Sequence, residues 1–173
     1  MTWVLVAAAA AVLVMAVLGL SRRIQAWRVE EAERRRRQAV HLDQRQRAGR
    51  VLAGDVEPLP SAPVDLKDGE HAYYLTPAAE LAAEDDGGFR RGARGRLLVT
   101  DRAVYFIDGA QVRRRLSVQD IERVDVPFSN VVALVSFRNT PGREEYRAYY
   151  EVAEPLLLAA HVSRFTGFEL ILS

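Results

Sequence analysis

An uninterrupted apolar stretch near the start of the chain is the feature that most limits how this sequence can fold. Residues Trp3 to Leu20, WVLVAAAAAVLVMAVLGL, are eighteen consecutive apolar positions. As a helix rising ~1.5 Å per residue they would reach ~27 Å, close to the ~30 Å hydrocarbon core of a bilayer. We therefore predict one transmembrane helix within residues 1–21. The alternative is a cleaved signal peptide, which normally has basic residues ahead of a shorter apolar stretch.

Basic residues follow this stretch directly. Arg22, Arg23 and Arg28 come first, and residues 34–37 are four further arginines. Segments rich in Lys and Arg stay on the cytoplasmic side of a membrane. We therefore expect a protein of the inner (plasma) membrane, with its amino terminus outside and its carboxyl-terminal domain in the cytoplasm. Arg22 and Arg23 are close enough to the surface to attract anionic lipid.

The charge is divided unevenly along the chain. Residues 21–50 hold ten arginines against four acids, whereas residues 51–173 hold fourteen basic against nineteen acidic groups. An acidic domain argues against a nucleic-acid partner, which a basic surface would favour. The sequence has no cysteine, so disulfides, thiolate nucleophiles and sulfur-based zinc sites are excluded.

Two segments separate the membrane from the domain. Residues 22–50 lack proline and place Glu30, Glu31 and Glu33 four positions before an arginine, which predicts a charged juxtamembrane helix. Residues 51–65 contain three of the chain's prolines, which bar helix and favour an extended linker. The globular domain is then expected over residues 66–173.

That domain consists of short apolar runs rich in Val, Ile and aromatic residues, separated by turn residues, which is typical of antiparallel β structure. A Pro-initiated apolar stretch, residues 155–167, predicts a closing helix. Residues 168–172 are a candidate final strand. The predicted strands cover residues 71–75, 95–100, 103–108, 112–118, 121–126, 130–137 and 145–152.

Part of this pattern resembles bacterial PH-like (GRAM, pleckstrin-homology-type) domains. Gly69-Glu70 precedes the first strand, the stretch from Gly95 to Phe106 contains Gly-x-Leu-x-Val-Thr-Asp before an apolar strand, and Leu116, Ile121 and Val124 follow. The resemblance covers about residues 66–166 and implies a mainly β fold, a seven-stranded antiparallel barrel capped by a C-terminal helix. Two departures are Ala103, where a basic residue is common, and a closing helix without tryptophan. The layout is also similar to single-span actinobacterial proteins with transporter or export names.

The residues give little sign of catalysis. The three histidines, His41, His71 and His161, do not share metal-ligand spacing, and His161 lies on the apolar stripe of the closing helix, where we expect a core histidine. No nucleophile elbow or P-loop is present. We therefore expect no enzyme activity, no cofactor and no metal.

The stretch GGFRRGARGR, residues 87–96, is the candidate binding segment. We expect it to form the first loop of the domain. In PH domains that hold phosphoinositides, basic residues in the first loop and second strand bind phosphate, and arginine suits such a ligand. Our leading expectation is nevertheless a solvated glycine loop on a scaffold or adaptor domain that docks a protein partner or a second copy, and lipid sensing through the arginines is the alternative. A third hypothesis is an accessory subunit of a transporter. The candidate anion-binding residues are Arg90, Arg91, Arg94, Arg96, Arg113 and Arg115.

Overall fold

The structure is a computed structural model that describes residues 31, 35–36, 38–85, 87–128, 130–137, 145–168 and 170. The chain divides into two compact units, Met1–Asp43 and Gln44–Ser173. The predicted transmembrane helix lies outside the described residues, as do Arg22, Arg23 and Arg28. Within the part of the chain that is described, no helix is both long enough and apolar enough to cross a membrane.

The described residues of the first unit are helical. In this unit Arg35 Nη2 lies 3.0 Å from Glu31 Oε1, one helical turn earlier. The sequence predicts this pair from its acid-first spacing, and the contact confirms it. Both side chains are exposed, so the pair stabilises the helix by only about 0.3–0.5 kcal/mol.

The described residues of the second unit form one antiparallel sheet with two flanking helices. Residues 38–52 are continuously helical, and we name the part that belongs to this unit, residues 44–52, α1; helix α2 covers Pro155–Thr166. The strands are β1 (Ala72–Ala83), β2 (Phe89–Thr100), β3 (Ala103–Asp108), β4 (Gln111–Ser117), β5 (Ile121–Phe128), β6 (Val131–Phe137) and β7 (Glu145–Val152), with a single 3-10 turn at Val118–Asp120. Seven antiparallel strands followed by a helix confirm the mainly β prediction.

The order of strands in the sheet is β4-β3-β2-β1-β7-β6-β5. Strand β1 therefore joins two meanders, and β4 and β5 are the edges of the sheet among the described residues. Helix α2 packs on β5, β6 and the 3-10 turn. Its apolar stripe is buried as predicted, with Leu158 and Val162 fully covered.

Alternation along the strands defines an inner and an outer face. Tyr150 in β7 is 1% exposed and packs in the main core with Leu97, Phe106 and Leu134. Its neighbours Tyr149 and Glu151 lie on the other side of the strand and keep contact with solvent. The predicted division of β7 into a buried and a wet face is confirmed, because side chains alternate along a strand.

The segment predicted as a linker lies within the compact unit. In α1, Ala48 and Val51 are buried against Leu157 and Ala160 of α2. Residues 53–71 contain no helix, as their prolines predict, and this segment packs its apolar side chains onto the outer face of β2 and β3. Leu59 N–H also donates to the carbonyl of Ala72 at 2.7 Å. The compact unit thus begins at Gln44, about twenty residues before the expected start.

The first two strands are longer than predicted. Strand β1 continues eight residues beyond Leu75, and β2 begins at Phe89 instead of Gly95. Pairing between the strands runs from Ala72 to Ala83 in β1, with a register shift after Ala79 that accommodates the extra residue of β2. Near the carboxyl end, Phe168 and Leu170 are not in a strand and pack against the main core.

Candidate functional site

The arginine-rich segment is a strand, and the expectation of a first loop at residues 87–96 is wrong for most of it. Arg90, Arg91, Arg94 and Arg96 all belong to β2 and pair with β1. Strand β1 ends at Ala83 and β2 begins at Phe89, so only a short connection separates them. The physical reason is cross-strand pairing, which includes Gly95 and resumes at Arg91 after the register shift beside Gly92, although glycine locally favours a turn.

Gly95 is required by a close approach of two strands. A Cβ atom built on Gly95 would lie 2.2 Å from the carbonyl oxygen of Ile107 in β3. No side chain fits at that distance, so this glycine sets the spacing between β2 and β3. Gly95, the first residue of the PH-like motif, is therefore required for strand packing.

Other residues of the motif form a buried polar network around Glu70, which is 7% exposed. The hydroxyl of Thr100 donates to Glu70 Oε1 at 2.5 Å and accepts the N–H of Ala103 at 2.8 Å. The hydroxyl of Tyr105 donates to the same carboxylate at 2.9 Å, and Arg115 Nε donates to Tyr105 at 3.2 Å. These bonds hold the β2–β3 turn against the residues that precede β1.

Most of the six candidate arginines already have a protein partner. Arg91 makes a two-bond ion pair with Glu151 at 2.6 Å, and its hydrogen bonds lower the pKa of that carboxyl. The other contacts are Arg90 with Glu84 at 4.0 Å, Arg113 with Asp108 at 2.7 Å, Arg96 with the carbonyl of Gly109 at 3.4 Å, and Arg115 with Tyr105. Only Arg94 of the six makes no ion pair or hydrogen bond among the described residues.

Three aromatic side chains meet on the outer face of the sheet, and we name Phe89, Phe128 and Tyr149 the aromatic patch. The ring of Phe89 lies 5.9 Å from Phe128, edge to face, and 5.0 Å from Tyr149. Phe128 is 54% exposed, which is unusual for a side chain of this size. Leu81, directly opposite both Arg91 and Tyr149, is buried on this face.

A polar group borders the patch. Glu151, two residues after Tyr149 and on the same face, accepts from Arg91 and from Asn130 Nδ2 at 3.2 Å. Arg94 lies opposite Ala79, which is itself opposite Glu151, so its guanidinium is on this face as well. The outer face therefore combines exposed aromatic surface with one paired and one unpaired arginine. Sequence reasoning missed it because its residues come from three distant strands.

The histidines do not converge. His71 is exposed and lies 3.5 Å from Asp101, whereas His161 is 4% exposed on α2. Among the described residues, no group of His, Asp and Glu has an arrangement that could hold a metal ion. The fold and the outer face together define a mainly β domain whose most distinctive exposed feature is an aromatic and arginine surface.

The chain was also compared with protein families, curated proteins and solved structures. No protein-family model matches the chain, and no curated protein matches it. Among solved structures, it is similar to the crystal structure of the Ran-binding domain from the nuclear complex component Nup2 of Ashbya gossypii. That likeness has a TM-score of 0.44 and 17% sequence identity, and it covers 57% of this chain and 96% of that chain.

Proposed function

We propose that residues 44–173 are a non-catalytic docking module, which the amino-terminal apolar stretch holds at the cytoplasmic face of a membrane. The module binds a protein partner, or a second copy of itself, through the aromatic patch. The observation that carries this proposal is Phe128, which is 54% exposed although it contacts Phe89. Burying an exposed aromatic ring against a partner is a main source of binding energy in protein interfaces.

The composition of the outer face favours a protein as the ligand. Aromatic residues and arginine are enriched in the centre of protein interfaces, and lysine and glutamate are depleted there. Here Phe89, Phe128 and Tyr149 supply the apolar centre, and Arg94, which makes no ion pair or hydrogen bond with the described residues, supplies a cation beside it. The partner we expect presents an apolar side chain to the patch and a carboxylate to Arg94.

Binding to anionic lipid is the alternative, and the ion pairs argue against it. Glu84, Asp108 and Glu151 each lie within 4.0 Å of one candidate arginine. A phosphate would have to compete with these carboxylates, which also reduce the positive potential of the surface. An array of arginines without carboxylate partners would favour lipid, but within the described residues Arg90, Arg91 and Arg113 each have such a partner.

Site-specific photo-crosslinking of the full chain in cells tests the proposal. A photoreactive amino acid replaces Tyr149 in the patch or, as the control, Val112 on β4, which is 44% exposed. We expect a discrete crosslinked species, with a partner or with a second copy, from position 149 only. Phe128→Ala should reduce that species by roughly tenfold or more, because an aromatic anchor contributes about 2 kcal/mol. Equal crosslinking from both positions, or no effect of Phe128→Ala, would contradict the proposal.

Vesicle flotation distinguishes the lipid alternative. A fragment of residues 44–173, the compact unit, is mixed with vesicles containing phosphatidylserine at low salt. The docking proposal expects the fragment to remain unbound. Flotation that Arg94→Gln abolishes would instead assign the surface to lipid headgroups.

A further inference from the structure

A separate cavity lies between α1, the start of β1 and α2, and none of the aromatic-patch residues line it. Its volume is about 300 Å³, and its walls come from α1, the segment after it, β1 and α2. This volume is at the lower end of the range of ligand pockets, roughly 300–1,000 Å³. A ligand of this cavity would be a small molecule.

The inner wall is aromatic and apolar. The rings of Tyr74 and His161 stack with centroids 4.7 Å apart and an interplanar angle of 11°. Leu157 and Val51 are buried beside them, and Tyr73 also lines the cavity. A flat apolar group can pack against these surfaces.

Within this wall, His161 has an unused hydrogen-bonding group. The side chain is 96% buried, since its residue is 4% exposed, and its Nδ1 has no hydrogen-bond partner among the described residues. Buried polar atoms are almost always hydrogen-bonded, so an exception needs an explanation. Burial and the charges of Arg164 and Arg47 lower the pKa of His161 to about 4. The imidazole is therefore neutral near neutral pH and adds an uncharged aromatic ring to this wall.

Three arginines are relevant to the cavity: Arg47 and Arg164 act on the charge of His161, and Arg50 is part of the lining. Arg47 forms an ion pair with Glu154. Arg164 lies over the ring of Tyr73 at 5.8 Å, and its Nη1 is buried without a partner in the described part of the chain. Arg50 lines the cavity, is exposed, and its side chain makes no ion pair or hydrogen bond with the described residues.

We propose that this cavity binds a small organic anion, a phosphate or carboxylate group on a short, flat apolar body. The guanidinium of Arg50 would bind the anionic group, since its fork matches a carboxylate or phosphate. The rings of His161, Tyr73 and Tyr74, which line the cavity, would hold the apolar body. Asp55 and Glu57 also line the cavity and are exposed, so ligands with several negative groups would be repelled. This site goes beyond the docking function and does not depend on it.

The test uses the full chain in non-ionic detergent, with phenyl phosphate as the probe. Binding is followed by the NMR signal of the His161 ring and by calorimetry. Phenol, which has the ring without the charge, and inorganic phosphate, which has the charge without the ring, are the matched probes. We expect saturable binding of phenyl phosphate that is at least several-fold tighter than either.

Two arginine variants locate the anion. Arg50→Gln should weaken phenyl phosphate binding by about tenfold, the loss expected for one charge-assisted hydrogen bond. Arg94→Gln is the control, because this arginine is equally unpaired but does not line the cavity. Neither substitution removes a described contact of the fold, so a misfolded protein is not the expected outcome. Equal effects of the two variants, or phenol binding as tightly as phenyl phosphate, would overturn the proposal.

A third probe distinguishes the sources of such an anion. Dihexanoyl phosphatidic acid carries a phosphomonoester on a lipid. Binding that depends on Arg50 and is tighter than that of phenyl phosphate would assign the cavity to a lipid headgroup. Weaker binding with the same dependence on Arg50 would assign it to a soluble metabolite. Both results support an anion site in the cavity.

Discussion

The buried imidazole of His161 makes the stability of the domain depend on pH. Burial, together with the positive charges of Arg164 and Arg47, lowers the pKa of His161 from 6.5 to about 4. The stacked Tyr74 does not titrate in this window, because burial raises its pKa to about 12. Glu154, the nearby carboxylate, is bound by Arg47 and by the Tyr74 hydroxyl at 3.3 Å.

Whether stability rises or falls with pH follows from the order of the pKa values of His161 in the folded and unfolded states. The folded pKa is below the unfolded one, so the unfolded chain binds a proton first as the pH falls. The contribution of the neutral His161 to stability is complete above the unfolded pKa of about 6.5. It is lost as the pH falls from there through the folded pKa of about 4. Between about pH 7 and pH 5 the free energy of unfolding should decrease by roughly 2 kcal/mol, and by roughly 3 kcal/mol once the pH is below the folded pKa.

Urea unfolding of the full chain, followed by far-UV circular dichroism at about pH 7 and pH 5, measures this loss. The His161→Gln variant should lose little stability between the two conditions, because it has no imidazole to protonate. His71→Gln is the matched control: the His71 side chain is 58% exposed, and this variant should behave like the unmodified protein. The lowered pKa of Glu151 acts below about pH 4.5 and so outside the measured interval.

Two results would refute this reasoning. One is an unmodified protein that is equally stable at both values of pH. The other is a His161→Gln variant that loses as much stability as the unmodified protein, since the proton would then bind elsewhere.

Further predictions concern glycines and the buried carboxylate. Gly95→Ala should destabilise the domain by about 3 kcal/mol or more, because its Cβ would lie 2.2 Å from the carbonyl oxygen of Ile107; chemical unfolding measures this, and a loss below about 1 kcal/mol would contradict it. Gly49→Ala, in α1 with nothing within 4 Å of the added Cβ, should stabilise by up to about 1 kcal/mol, and destabilisation would show that the site is more crowded. Glu70→Ala should cost about 2–4 kcal/mol because it removes the buried carboxylate that accepts from the hydroxyls of Thr100 and Tyr105. The exposed Glu122→Ala should change stability by less than about 0.5 kcal/mol, and similar losses for both glutamate variants would contradict the role of Glu70.

Segments with a clear apolar pattern were predictable from the sequence. The bounds of β3, a continuous apolar run, and of β7, an alternating strand, agree with the prediction to the residue, and the buried stripe of α2 follows from its helical period. In these segments the local pattern and the packing favour the same structure. The local hydrophobic pattern was therefore sufficient.

Residues 89–94 show why other parts of the fold could not be predicted from the sequence. Their glycines and arginines are typical of a turn, and alternation of apolar residues is absent. They form a strand because β1 provides a partner across the whole length of β2. The aromatic patch was missed for the same reason, because Phe89, Phe128 and Tyr149 meet only through the register of strands far apart in sequence.

The segment after α1 illustrates a second limit of prediction from sequence. The prolines of the predicted linker correctly exclude helix after residue 52, but composition does not reveal that Leu59 and its neighbours cover the outer face of β2 and β3. The cavity depends on the same placement, since α1 and the residues after it form one of its walls. A reading of local preferences cannot specify which surface an extended segment covers.

The central position of β1 has a consequence for how the domain folds. Pairs between β1 and β7, such as Ala78 with Val152 and Leu81 with Tyr149, join residues 68 to 74 positions apart. Closing so long a loop costs entropy before any contact compensates for it, and folding rates fall as contacts become less local. On the ribosome, β1 to β4 can pair as soon as they emerge, while one edge of β1 stays open until β7 has been made. That open edge is where we expect a chaperone, or another nascent chain, to bind first.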